Sequence, residues 1–257
     1  MANNLKMFLY KQGSKSGQLL AEKLNCLRIK HEGSEYRGKM GDFILNWGAG
    51  NGVYAARTAL AKLWNRPDLI DIAVNKLDFF QSVDVAGGPR VIPWTTSREE
   101  ARTLLKFGHT IIGRKVLEGS KGAGIVVINK MDDLVQCPLY TVKVPNKAEY
   151  RVYLWRDTVI DVRLKGFAPD ATKESIAVKL YIGNEVQFNQ LDMARVPGDV
   201  LVQAKKVFGK LPLDLQGVDV IWDGEKAWIA ETNTAPYLGI QTANKYAAVI
   251  LREVEAA

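Results

Sequence analysis

The strongest constraint on this chain is a hydrophobic period of two that dominates its C-terminal part. From residue 139 the sequence reads LYTVKV, EYRVYLW and TVIDVRLKGF, with apolar and polar residues alternating and Arg156-Asp157 marking a tight turn. Such a period suits strands that bury one face. It returns in GVDVIWDGEKAWIAETN (217–233), which reads as a hairpin around Asp223-Gly224-Glu225. Helical segments precede and separate these runs, so the expected class is mixed α/β (α+β).

Residues 5–10 read as a strand, followed by a QGSKSG turn and a helix over 17–27 with Leu19, Leu20, Leu24 and Leu27 at helical spacing. A second strand at 42–47 runs into GAGNG. A helix is expected over 53–64, with Val53, Ala56, Leu60 and Leu63 on one face, then a short strand at 71–74 and a short helix at 75–80. The turn-rich AGGPRVIP places a boundary near Pro93. Beyond it, Ser97 and Glu100 have capping-box spacing for one helix that stops at Gly108. TIIGRKVL and IVVI read as two strands joined by the Gly-rich GSKGAG. AVKLYI (177–182) is another strand, and helices are expected over 198–211 and 240–254. No internal repeat is visible. The expected layers are 1–93, 94–140 and 141–257.

A chain of 257 residues with 47% hydrophobic and 25% charged residues can bury an ordinary core. It has no apolar run of the roughly 18 residues that a membrane helix needs, and its N-terminus lacks the apolar stretch of a secretory signal. Cys26 and Cys137 have no metal-ligand spacing and read as core thiols of a reducing cytoplasm. The net charge of +7 attracts anions, whether nucleotide phosphates, an acidic substrate or nucleic acid.

Neither Gly-rich segment completes a standard phosphate motif. GAGNG would need glycine at Val53 to form the dinucleotide fingerprint, and Lys121 is followed by Gly122 where a P-loop needs Ser or Thr. GSKGAG lies between strands, where its backbone N–H groups could close over phosphates as a flap. No HRD or DFG accompanies it, which argues against a protein kinase. In the C-terminal hairpin, the turn sets Asp219 roughly opposite Glu231, and Glu231 and Asn233 share a face. Three oxygen donors of this kind suit Mg2+ shared with phosphates rather than zinc. Arg151, Arg163, Lys165 and Lys179 lie on expected strands arranged to face them.

The order of these pieces resembles the ATP-grasp ligases. It is most similar to short bacteriophage ATP-grasp proteins and to the ribosomal-protein glutamate ligase branch, through GRKVLEGSKGAGI, EYRVYLWRDTVIDVRLKG, GVDVIWDG and IAETNTAP, with LYKQGSKSG, LNWGAGN and NKLDFF nearer the N-terminus. The resemblance implies an ATP-grasp fold behind an N-terminal α/β layer. It implies ATP contacts from Arg114, from the flap residues Ser120, Lys121, Gly122 and Gly124, and from a hinge at Thr141, Val142, Lys143 and Val144. Glu149 would lie near the ribose and Lys165 at the nucleotide. Arg151, Arg163 and Lys179 would steady the γ-phosphate and an acyl phosphate, and Asp219, Glu231 and Asn233 would hold Mg2+, with Mn2+ as a substitute. Many relatives carry Lys where Arg114 stands and an acidic residue where Lys143 stands. The implied partners are ATP, a carboxylate substrate and an amine acceptor, and no membrane.

Two other classes fit parts of the pattern. A nucleotide-gated binding protein would need the metal set less. A nucleic-acid binder would use the positive charge, but the six tryptophans are spread through expected strands and helices rather than interleaved with a basic run. His31 and His109 lie outside every motif and read as structural.

Overall fold

The computed structural model describes residues 4–9, 14–30, 34–50, 60–119, 122–166 and 187–256. Ser120, Lys121, Lys179, the AVKLYI run and most of the helix expected at 53–64 lie outside them. Among the described residues the strands form three sheets.

The N-terminal sheet contains β1 (Leu5–Leu9), β2 (Leu27–Ile29), β3 (Phe43–Trp47) and β4 (Lys62–Trp64), all parallel in the order β2-β1-β3-β4. Every residue of β3 is buried, as befits a parallel strand covered on both faces. Helix α1 (Lys15–Lys23) starts at Ser14, whose Oγ accepts from the Gly17 N–H and from Trp47 Nε1. Three expectations fail here. The helix expected over 17–27 ends at Lys23, and Leu27, assigned to its apolar face, begins β2 and is exposed. Lys62–Trp64 is a strand, because Trp64 is buried against Phe43 and Trp155 while Leu60, assigned to the apolar face of a helix, is exposed. Residues 71–74 belong to helix α2 (Pro67–Val74), which Pro67 and Asp68 start and whose Ile70 and Ala73 pack inward one turn apart. Asn75 then caps α3 (Lys76–Val83), its Oδ1 accepting from the N–H groups of Leu77 and Asp78.

The second sheet is antiparallel, with β5 (Trp94–Thr95), β6 (Ile111–Arg114), β7 (Ile125–Ile128) and β8 (Leu139–Val142) in the order β5-β8-β6-β7. Helix α4 (Arg98–Lys106) covers one face through Ala101 and Leu105, against Ile111, Ile128, Tyr140 and Val142. Ser97 accepts from the Glu100 N–H as expected, but the Glu100 carboxylate turns to the Thr95 hydroxyl instead of closing the capping box. The β6–β7 hairpin is held at its root by Lys115 N–H donating to Gly124 O at 2.8 Å. Gly124 has φ +71°, and a Cβ there would meet Val116 N at 2.9 Å, so this closure requires glycine. Strand β8 runs across 140/141, so the whole of it belongs to this sheet.

The third sheet is antiparallel, with β9 (Ala148–Trp155), β10 (Thr158–Gly166), β11 (Gln187–Gln190), β12 (Leu215–Trp222) and β13 (Ala227–Asn233) in the order β11-β10-β9-β12-β13. One face packs Val152, Leu154, Val162, Val218 and Val220 against helix α5 (Gly198–Lys210) through Val200, Ala204 and Val207. Helix α6 (Ile240–Glu255) brings Tyr246, Ala247 and Ile250 against Tyr153, Trp155 and Leu215 and against the N-terminal layer. Asn65 joins these layers: its N–H donates to Asp214, and its side chain exchanges hydrogen bonds with the Leu215 backbone at 2.8 Å each way. This fastening fixes the N-terminal layer to the end of the sheet where Leu215 pairs with Trp155, along the same strands as Asp219 and Arg151.

Candidate active site

Alternation along the third sheet sends Val152, Leu154, Val162, Val218 and Val220 to α5 and the charged residues to the opposite face, which they share with Tyr153, Trp155 and Leu215. Register then aligns the charges. Arg163 on β10 is paired with Arg151 on β9, Arg151 with Asp219 on β12, and Asp219 with Glu231 on β13. Four adjacent strands therefore contribute one row of charge. Lys165 and Glu149 flank it on one side, and Asn233, opposite Gly217, stands on the other. The hairpin register read from the sequence is observed, with a bulge immediately after Asp219.

Asp219, 1% exposed, accepts from Arg151 Nε at 2.6 Å, from Arg151 Nη2 at 2.7 Å and from Lys165 Nζ at 2.7 Å. Lys165 also donates to Glu149. Burial alone would lower the Lys165 ammonium, but Asp219 and Glu149 push it up from its ordinary value. The Glu149 carboxyl is raised, chiefly by burial. Glu231 goes the other way: burial would raise it, yet Lys76, Lys165, Arg114 and Arg151 together hold it well below the usual carboxylate range. Arg151 also lies over the Phe188 ring at 4.6 Å, and Phe188 stacks on Tyr237.

At the far end of the row, Arg163 Nε donates to Asp161 at 2.9 Å and its Nη2 donates to Thr242 at 3.1 Å. Asp161 also accepts from Thr242 and Lys245 of α6, at 2.6 Å each. These donors outweigh burial and hold the Asp161 carboxyl below its ordinary value.

The second sheet contributes Arg114 and Thr141. Ile112 pairs with Thr141 and Arg114 with Leu139, which puts Arg114 and Thr141 on one face of that sheet. Arg114 Nε and Thr141 Oγ1 are both buried without a hydrogen-bond partner. Orphaned donors and acceptors of this kind are costly unless a ligand meets them. The Val142 and Lys143 N–H groups donate to Pro93 O and Thr110 O, and Val144 packs into the main core. Gly122 and Gly124 both have positive φ in the hairpin loop.

One residue of the site carried no role in the sequence reading. Lys76, first in α3, places Nζ 3.3 Å from Glu231 Oε2. Its signal in the sequence was the Asn75 cap, which places Lys76 at a helix start but names no partner.

Among the described residues no three His, Cys, Asp or Glu side chains gather as a metal-holding group. Asp219 already accepts from three charged donors. Glu231 is a hard oxygen donor beside Asn233, whose Nδ2 donates to Gly217 O and to Glu231 Oε1. This donor chemistry fits a hard divalent cation that also has phosphate ligands, not one held by protein alone.

No protein-family model and no curated protein matches this sequence. Solved structures do match. The ATP-grasp ligase PsnB complexed with minimal precursor is 12% identical over 98% of this chain and 100% of its own, with a TM-score of 0.71, and it has also been solved with Mg and ADP. D-alanyl-alanine synthetase A from Vibrio cholerae is 13% identical over 100% of this chain and 98% of its own, with a TM-score of 0.65. A RimK domain ATP-grasp protein from Sphaerobacter thermophilus is 12% identical over 95% and 98%, also with a TM-score of 0.65. At these identities the likeness is one of fold: the chain has the ATP-grasp fold.

Proposed function

We propose that the chain is an ATP-dependent carboxylate–amine ligase, of the kind found among short phage ATP-grasp proteins and the ribosomal-protein glutamate ligase branch. The observation that carries this reading is the charged row of the third sheet together with the two orphaned polar atoms on the second. ATP would lie between the second sheet and the third, the layers expected at 94–140 and 141–257, with the whole of β8 on the side of the former. Arg114 and Thr141, with Ser120, Lys121, Gly122 and Gly124 of the flap, would meet it from one side, and Lys165, Lys76 and Arg151 from the other. Glu149, bonded to Lys165, would lie near the ribose. The residues Thr141, Val142, Lys143 and Val144 would border the adenine.

The chemistry has two steps. An oxygen of the substrate carboxylate attacks the γ-phosphorus, the bond to the β-phosphate oxygen breaks, and ADP leaves an acyl phosphate. An amine then attacks the acyl carbon, loses its proton and expels inorganic phosphate. Negative charge gathers on the transferring oxygens in the first step, and Arg151, Lys165, Lys76 and Arg114 are placed to disperse it. Arg163, oriented by Asp161, would steady the acyl phosphate with Lys179. Glu231 and Asn233 would hold Mg2+, or Mn2+, with Asp219 beside them, and the cation would supply Lewis-acid stabilisation of the phosphoryl group.

Among the described residues no helix is long and apolar enough to cross a membrane. We place the protein in the cytoplasm, where Cys26 and Cys137 remain thiols. PsnB has been solved with precursor, and the Chryseobacterium gregarium ligase with a leader and core peptide, so peptides belong in the acceptor panel with free amino acids.

ADP release with pooled amino acids and peptides tests the proposal. Wild type should turn over and Glu231→Gln should fall by at least about a hundredfold. Saturating Mg·ATP should add about 2.7 kcal/mol at a hundred times its Kd. The ligase reading fails if no acceptor mixture yields ADP and Mg·ATP leaves the melting temperature unchanged.

A further inference from the structure

We infer that Lys76 is a resident counter-cation of Glu231 that keeps the divalent-metal position closed until nucleotide arrives. The inference rests on the ATP reading above and adds an order of binding to it.

Each carboxylate of the site already has a cation. Glu149 holds Lys165, Asp219 holds Lys165 and the Nε and Nη2 of Arg151, and Glu231 holds Lys76. These pairs are not equivalent. Arg151 and Lys165 are on the same sheet as their partners, and the Asp219 side chain is 1% exposed. Lys76 comes from a separate helix and makes one ion pair to Glu231 at 3.3 Å, and the Glu231 side chain is 28% exposed. The Glu231–Lys76 pair is therefore the one that can exchange.

The Lys76 main chain is fixed while its side chain reaches inward. Asn75 caps the helix at that point, and the Lys76 N–H donates to Leu117 O at 3.0 Å, beside the root of the β6–β7 flap. A bare dication approaching Glu231 meets this ammonium and must shed water to displace it, which Mg2+ does reluctantly. A dication arriving on a polyphosphate brings an anion that offers Lys76 a new partner. Metal and nucleotide are thereby coupled positively, with Lys76 as the coupling element.

The test uses Mn2+ as probe, with the free-ion EPR signal read without nucleotide and with ADP. Wild type should bind Mn2+ weakly alone and tightly with ADP. Lys76→Met should bind Mn2+ alone at least about tenfold more tightly than wild type, since one positive charge beside the ligand is gone, and the gain on adding ADP should shrink. Lys76→Arg should behave as wild type. Circular dichroism establishes that each variant is folded; if Lys76→Met is not, Lys76→Gln replaces it. Equal Mn2+ affinity in wild type and the neutral variant, with ADP binding intact, overturns the Lys76 assignment alone. Wild type that binds Mn2+ equally with and without ADP overturns it too, whereas failure to bind any nucleotide removes the ATP reading itself.

Discussion

Asp219→Ala tests the centre of the charged row. The change deletes the acceptor of three charged hydrogen bonds of 2.6–2.7 Å at a side chain that water hardly reaches. Lys165 keeps Glu149, so the orphaned charge is chiefly Arg151, which still lies over the Phe188 ring at 4.6 Å. Removing one partner of a buried pair costs about 3–5 kcal/mol, and the contacts left to Lys165 and Arg151 place this case near 3 kcal/mol. For a chain of this length each kcal/mol lowers the melting temperature by about 2 °C, so the expected fall is about 6 °C. Thermal melting by circular dichroism reads it, with the Asp219→Leu, Arg151→Met double variant beside it. Because the double variant removes both charges, it should recover most of the loss. A single variant melting within about 2 °C of wild type would refute the buried pair. A double variant no better than the single would show that an orphaned charge is not the cause.

Acid should destabilise the protein. The depressed carboxyls of Glu231 and Asp161 contribute stability that is fully present above the ordinary value of about 4 and is lost as pH falls through their folded values. The raised Glu149 carboxyl acts oppositely, its cost lifting on protonation, so Glu149→Gln should steepen the decline of melting temperature from about pH 6 to about pH 3; a flat profile in wild type would contradict this balance. Thr141→Val keeps the shape and removes the unpartnered buried hydroxyl. It should stabilise the nucleotide-free protein by about 1 kcal/mol in a melt while weakening ATP binding by calorimetry; unchanged ATP affinity would mean that the hydroxyl does not meet the nucleotide.

The charged row was legible because strand periodicity carries it. In EYRVYLW and TVIDVRLKG every second residue shares a face, so Glu149 and Arg151 fall together, as do Asp161, Arg163 and Lys165. The Asp223-Gly224-Glu225 turn set the Asp219–Glu231 register to within one residue, and in the structure the two are paired directly. The failures were local ambiguities that tertiary contacts resolve. Lys62–Trp64 is too short to show a period, and only its pairing with β3 makes it a strand. DIAV reads as a β-prone run until Pro67 and Asp68, a few residues earlier, are taken as the start of its helix. Lys76 was illegible as a site residue for a different reason: its partner is on another layer, and a lysine at a helix start looks like any solvated cation.

The structure divides the row into an exchangeable end and a locked end. At one end Glu231 is partly exposed and its ion pair is with the Lys76 ammonium of another layer. At the other, Arg163 is bonded to Asp161, and Asp161 is in turn saturated by Thr242 and Lys245 of α6, a helix that also packs against the N-terminal layer. Rearranging Arg163 would break a buried network and disturb that packing, whereas rearranging Lys76 breaks one contact at 3.3 Å. In the proposed reaction, nucleotide and metal exchange would therefore be confined to the Glu231 end, leaving Arg163 in one orientation from the first step to the second. A guanidinium already fixed where an acyl phosphate would form need not be ordered during the reaction, which is where preorganised electrostatics lowers a barrier most.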